Sequence, residues 1–105
     1  MTLASANPYR GEASLLSGGR ERVLRPSFAA LVAAEEELGP LFALVERAAS
    51  GQLRLGELVA LFWHCLHDRD GLTREELSEA IAAIGLAAAA KPLRVLLGQI
   101  LQGSG

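Results

Sequence analysis

The apolar positions are densest between Leu53 and Leu66 (LRLGELVALFWHCL), where Leu55, Leu58, Val59, Phe62, Trp63 and Leu66 fall at i, i+3, i+4, i+7, i+8 and i+11. That spacing is one wide stripe of an α-helix. Leu61 and Cys65 broaden it, so little of this helix is expected to face water, and it should be the central post of a small core. Shorter stripes of the same period flank it. Phe28, Leu31, Val32 and Leu38 predict a buried stripe on a helix that opens at Ser27, a good N-cap, and stops at Gly39. Pro40 suits the first turn of a helix over Leu41 to Ala49, with Leu41, Leu44, Val45 and Ala48 as a short stripe and Ser50 and Gly51 as the stop. Thr73 and Glu76 read as a capping box opening a helix over Arg74 to Ile84, with Leu77, Ala80, Ile81 and Ile84 inward and Gly85 closing it. Leu93, Leu96, Leu97, Ile100 and Leu101 form the last stripe, in a segment from Leu86 to Gln102. Pro92 is expected to end or kink that helix near Lys91.

Ahead of the helices the pattern changes. Gly11 to Leu16 and Glu21 to Arg25 are short semi-apolar runs around Ser17, Gly18, Gly19 and Arg20, which predicts a two-stranded hairpin. With Gly18 and Gly19 as the loop, Glu12 lies opposite Arg25 and Ala13 opposite Leu24. An isolated hairpin is marginal in water, so it must pack on the helices or pair its edge with another chain. The predicted architecture is mainly α with a short N-terminal β-hairpin, a small single-domain bundle of about five helices. Residues 1–9 are a loose leader, 10–25 the hairpin, 27–102 the helices, and Gly103 to Gly105 a frayed end.

Composition narrows the function classes. Apolar residues make up 50% of the chain but aromatics only 5%, so the core is aliphatic. The net charge of -2 with both signs interspersed argues against a sequence-independent grip on nucleic acid, which needs clustered Lys and Arg. No apolar run reaches the roughly 20 residues needed to span a bilayer, and MTLASANPYRGEAS lacks the apolar centre of a secretory signal. One cysteine, Cys65, forms no internal disulfide, which fits a reducing compartment. A cytoplasmic protein is the expectation.

Candidate chemistry is sparse. His64, Cys65 and His67 are all metal-ligand types, but no second Cys or third His completes a set, so no metal or cofactor is expected. Asp68, Asp70 and Gly71 resemble part of a calcium loop. Placing Gly71 at loop position six puts Leu66 and Leu77 where ligands are required. GLTREELSEAI resembles the first helix of a DNA-binding helix-turn-helix, but the helix after it, LAAAAKP, offers no Arg, Asn or Gln to read bases. No nucleophile–base pair or phosphate loop is present, so the chain reads as a non-enzyme. Glu35, Glu36 and Glu37 stand in the last turn of their helix, where carboxylates oppose the dipole. They are either a solvated face or a contact for a basic partner.

The order of features, NPYRGEASL, a glycine turn, VLRPSF, AALVAAEEELG, ERAASGQL, LTREELSEAI and GLAAAAKPLRVLLGQIL, resembles the small tail assembly chaperone-like proteins of gene transfer agents and siphophages. The family helix pattern A-L-x-x-L-E-x-x-L-G is met by Ala30, Leu31, Glu35, Leu38 and Gly39, and FWHCLH departs from the small residues usual in the central helix. The resemblance implies a non-catalytic role in building a phage-like tail. It implies binding to the tape measure protein and/or the tail tube protein, or else incorporation as a tube component of the particle tail. Expected contacts are Glu35, Glu36 and Glu37 with Leu93, Leu97, Ile100 and Leu101 of the final helix. Homo-oligomerisation is left open, and a small regulatory or metal-binding helical protein is the remaining alternative.

Overall fold

A computed structural model describes residues 13–17 and 20–102. The proposed leader, the Gly18–Gly19 loop, the Glu12–Arg25 pair and the last three residues lie outside the described residues. Among the described residues the elements in order are β1 (Ala13–Ser17), β2 (Arg20–Leu24), α1 (Phe28–Leu38), α2 (Leu41–Ala49), α3 (Leu55–Cys65), α4 (Arg74–Ile84) and α5 (Leu86–Gln102). This is the expected mainly helical bundle with one antiparallel hairpin. The register pairs Ala13 with Leu24 and Leu15 with Arg22. It therefore sets Ala13, Leu15 and Leu24 on one buried face.

The hairpin is held by α3 through the backbone as well as through side chains. Leu24 bridges Leu66, the Arg25 N–H donates to the Cys65 carbonyl at 2.6 Å, and the His67 N–H donates to the Val23 carbonyl at 2.9 Å. The residues that leave α3 thus satisfy the outer edge of β2, which would otherwise be an open template for pairing. The other strand, β1, lies against α4 and α5.

The segment predicted as the central post fills that role. Leu58, Val59, Ala60, Leu61, Phe62 and Cys65 of α3 are all buried, as is Leu66 just beyond it. Around them Leu24, Leu44, Leu77, Ile81 and Leu96 are fully buried, one or two from each of β2, α2, α4 and α5. At the two ends of the predicted stripe the structure corrects the expectation. The helix starts two residues later than the apolar run, leaving Leu55 exposed in its first turn, and Trp63 is only half-buried.

The face of α1 also differs from the prediction. Phe28 is 84% exposed and Val32 is exposed, whereas Ala30 and Ala34 are buried. The helix α1 packs on most is α3. Small side chains at the contact let the axes approach closely, so the alanine ridge Ala30–Ala34–Leu38 turns inward. The Phe28–Val32–Glu36 ridge, two residues or about 200° round the helix, then faces out.

Helix ends follow local chemistry. Ser27 Oγ accepts the Ala30 N–H at 3.1 Å. Thr73 Oγ1 accepts the Glu76 N–H at 3.1 Å while the Thr73 N–H donates to Glu76 Oε1 at 2.8 Å, the reciprocal pair expected of a capping box. Gly39 and Gly85 end α1 and α4 with φ of 87° and 89°, which only glycine adopts without strain. Across Gly85 the axes of α4 and α5 turn by 114°. Of the two expected effects of Pro92, an end or a kink, the end does not occur: α5 continues through Pro92, whose ring is buried. Pro92 removes the donor to the Ala88 carbonyl, and Ala88 is exposed, so water can meet that carbonyl. Among the described residues no single helix is long and apolar enough to cross a membrane.

Candidate docking groove

The acidic run at the end of α1 divides into separate roles. Glu35 Oε2 accepts the Leu41 N–H at 3.1 Å, placing a carboxylate at the N-terminus of α2, where the dipole favours it. Glu37 reaches the other way: Oε1 lies 2.8 Å from His64 Nε2 of α3, and Oε2 accepts from Arg74 Nη2 of α4. The Arg74 bond first, then the His64 bond, holds the Glu37 carboxyl below its ordinary pKa. Two of the three carboxylates therefore tie α1 to α2, α3 and α4, which explains why they stand where the dipole of α1 disfavours them. The carboxylate of Glu36 has no partner among the described residues.

A cleft of about 220 Å³ opens between α1, α2 and the end of α5, lined by Leu31, Glu35, Leu41, Phe42, Val45, Ile100 and Leu101. Phe42 is 77% exposed at its edge and Leu101 is 55% exposed. On α1 the exposed Phe28–Val32–Glu36 ridge runs beside the Leu31–Glu35 row that lines the cleft. On α2 Phe42 and Glu46 form a parallel case, one turn apart and about 200° from buried Leu44. Four of the exposed large apolar side chains, Phe28, Val32, Phe42 and Leu101, thus gather on or beside one groove. A clustered apolar patch with a polar rim is the usual mark of a contact surface.

The family described as phage tail tube protein, GTA-gp10, matches residues 10–103, nearly the whole of the 105-residue chain. The chain belongs to this family. No curated protein and no solved structure matches it. Its function is therefore tied to a phage-like tail, in a structural or an assembly role.

Of the contact residues expected for this tail protein, the structure brings Glu35, Ile100 and Leu101 to the groove. Leu93, Leu97 and Ile100 are half-buried against the core, which leaves Leu101 as the exposed member of the α5 set. Leu93 instead lines a second, smaller cleft with Leu53, Leu55, Leu58, Leu86 and Ala90, bordered by Arg54. Phe28 and Phe42 were not singled out by sequence as surface residues. The available signal was their offset from the alanine and leucine ridges of the same helices.

The side chains considered for metal chemistry point to separate partners. His67 Nδ1 accepts from Arg25 Nη1 at 2.9 Å, His64 faces Glu37, and Cys65 is buried with its thiol pushed up to about 12 by desolvation. Among the described residues no three His, Cys, Asp or Glu side chains are placed to hold a metal ion. The acidic turn after α3 is organised by an arginine: buried Arg22 donates from Nη1 to the Asp68 and Asp70 carbonyls at 3.2 and 3.3 Å, and the Asp70 N–H donates to Asp68 Oδ1. Arg69 stacks over the Trp63 ring at 4.7 Å and donates to the Trp63 carbonyl, closing the end of α3.

Proposed function

We propose that this protein is a non-catalytic assembly factor of a phage-like tail, acting in the host cytoplasm. It binds the tape measure protein and/or the tail tube protein and keeps their apolar surfaces soluble until the tube polymerises. The observation that carries this reading is a groove lined by exposed Phe42 and Leu101, with exposed Phe28 and Val32 on the adjoining ridge of α1, in a fold whose own core is already filled by α3. Exposed aromatics of this kind are what an amphipathic partner helix covers. A second reading, a tube component retained in the finished particle, is favoured by the family's own description.

Co-expression with the neighbouring tape measure and tail tube genes, followed by affinity capture and quantitative mass spectrometry of purified particles, tests both readings. The assembly factor co-purifies with a partner and is absent from particles, or far below tube stoichiometry. Retention at tube stoichiometry establishes the second reading, and no co-purification with either partner refutes the first.

A further inference from the structure

We infer that the groove between α1, α2 and α5 takes an amphipathic partner helix whose apolar ridge is flanked by Lys and Arg. This rests on the assembly reading above and specifies the chemistry of the partner. The floor, Leu31, Leu41, Val45, Ile100 and Leu101, is aliphatic, and Phe42 stands at the edge, a surface suited to the i, i+4 side chains of a docked helix. The charge around it is of one sign. Glu35 lines the groove, and each exposed aromatic ridge ends in a carboxylate: Phe28–Val32–Glu36 on α1 and Phe42–Glu46 on α2.

No Lys or Arg lines the groove. Of the basic residues on the three helices, Arg47 is engaged by Glu57, and Lys91 and Arg94 lie at least seven residues before Leu101 on α5. Seven residues are about 10 Å along a helix, near one Debye length at physiological salt. Glu36 and Glu46 are both exposed and unpaired among the described residues, so a partner cation meets them without breaking an internal bond. The second cleft, bordered by Arg54, lacks this acidic rim.

The test uses the whole chain and two labelled peptides of about 18 residues, long enough to hold a helix. Both share a leucine ridge at i, i+4 spacing, one flanked by Lys and the other by Glu, and binding is read by fluorescence anisotropy. The Lys-flanked peptide is expected to bind about tenfold more tightly at low salt, the order expected from a few exposed ion pairs, with the ratio shrinking as salt rises. Phe42→Ser weakens both peptides, and the Glu36→Lys/Glu46→Lys pair reverses the preference while the thermal midpoint stays within a few degrees of the parent. Equal binding of the two peptides, no binding by either, or unchanged binding by the folded Phe42→Ser variant overturns the inference. Sedimentation showing a dimer that Phe42→Ser converts to monomer overturns it in favour of a second copy as occupant. Any of these results alongside successful partner capture leaves the assembly reading standing, so the two failures are distinguishable.

Discussion

Two phenylalanines on adjacent helices provide the most discriminating test of the fold, because the structure gives them opposite environments. Phe62 is fully buried in α3, and Phe42 is 77% exposed on α2. Truncating a fully buried Phe removes its transfer free energy and leaves a cavity, about 3–5 kcal/mol in all. A domain of this length holds roughly 5–15 kcal/mol in total, so Phe62→Ala consumes a large share of it. At about 4–8 °C per kcal/mol the melting midpoint falls by ~12 °C or more. Phe42→Ala removes a ring that meets mostly water and is expected to stay within about 0.5 kcal/mol of the parent. Urea unfolding followed by circular dichroism reads both, and the parent m-value should be kept so that the midpoints report stability. Equal losses from the two truncations, or a greater loss from Phe42→Ala, refute the assignment of α3 as the buried post with an open groove on α2.

Other expectations follow from single contacts. Glu37→Gln weakens the link from α1 to Arg74 and His64, costing roughly 0.2–1 kcal/mol for a pair this exposed. Because the folded pKa of Glu37 is depressed, its contribution is complete above the ordinary carboxylate range and is lost as pH falls through the folded value. The gap between parent and Glu37→Gln in urea midpoints should therefore close as pH falls through and below the ordinary carboxylate range, and a gap that persists unchanged there contradicts the pairing. The Cys65 thiol, raised to about 12 and buried, should react with a thiol reagent at pH 8 far more slowly in the native protein than in urea. At glycines the sign depends on backbone. Gly85→Ala, at φ 89°, is expected to cost about 1–3 kcal/mol, whereas Gly98→Ala, inside α5 with open space for a methyl, should stabilise by up to about 1 kcal/mol. Calorimetry on the two variants checks the opposite signs.

Much of the fold could be read from residues that act locally. Pro40 with Ser50 and Gly51 bounds α2, and Thr73 with Glu76 and Gly85 bounds α4, whereas the hairpin register was readable only on the condition that Gly18 and Gly19 form the loop. What could not be read depended on partners far along the chain. Glu37 meets His64 and Arg74, 27 and 37 residues away, so the acidic run looked like a free surface when two of its members bind neighbouring helices. The inward face of α1 was misread because bulky Phe28 and Val32 outweigh Ala30 and Ala34 in any hydrophobic stripe, while close approach to α3 selects the small residues. An end or a kink was expected at Pro92 because the loss of its donor is local. What accompanies it, a buried ring and an exposed Ala88 one turn before, depends on how α5 lies on the core.

The groove was legible in part. Glu35, Ile100 and Leu101 were expected contacts and do meet there, since the end of α5 returns to the α1–α2 pair. The aromatic edge supplied by Phe42 was not singled out, although its offset from the leucine stripe of α2 was the available signal, because what lies beside that offset face depends on where the end of α5 returns.

The role of this surface in tail building is tested most directly in cells that make the particle, with the resident gene replaced by a Phe28→Ser/Phe42→Ser variant and tailed particles counted by electron microscopy. Both side chains are exposed, so the variant protein is expected to unfold at the parent temperature and to accumulate normally. The account predicts a large loss of complete tails at undiminished levels of folded variant. A full complement of tails of normal length, built with those two rings removed, contradicts it.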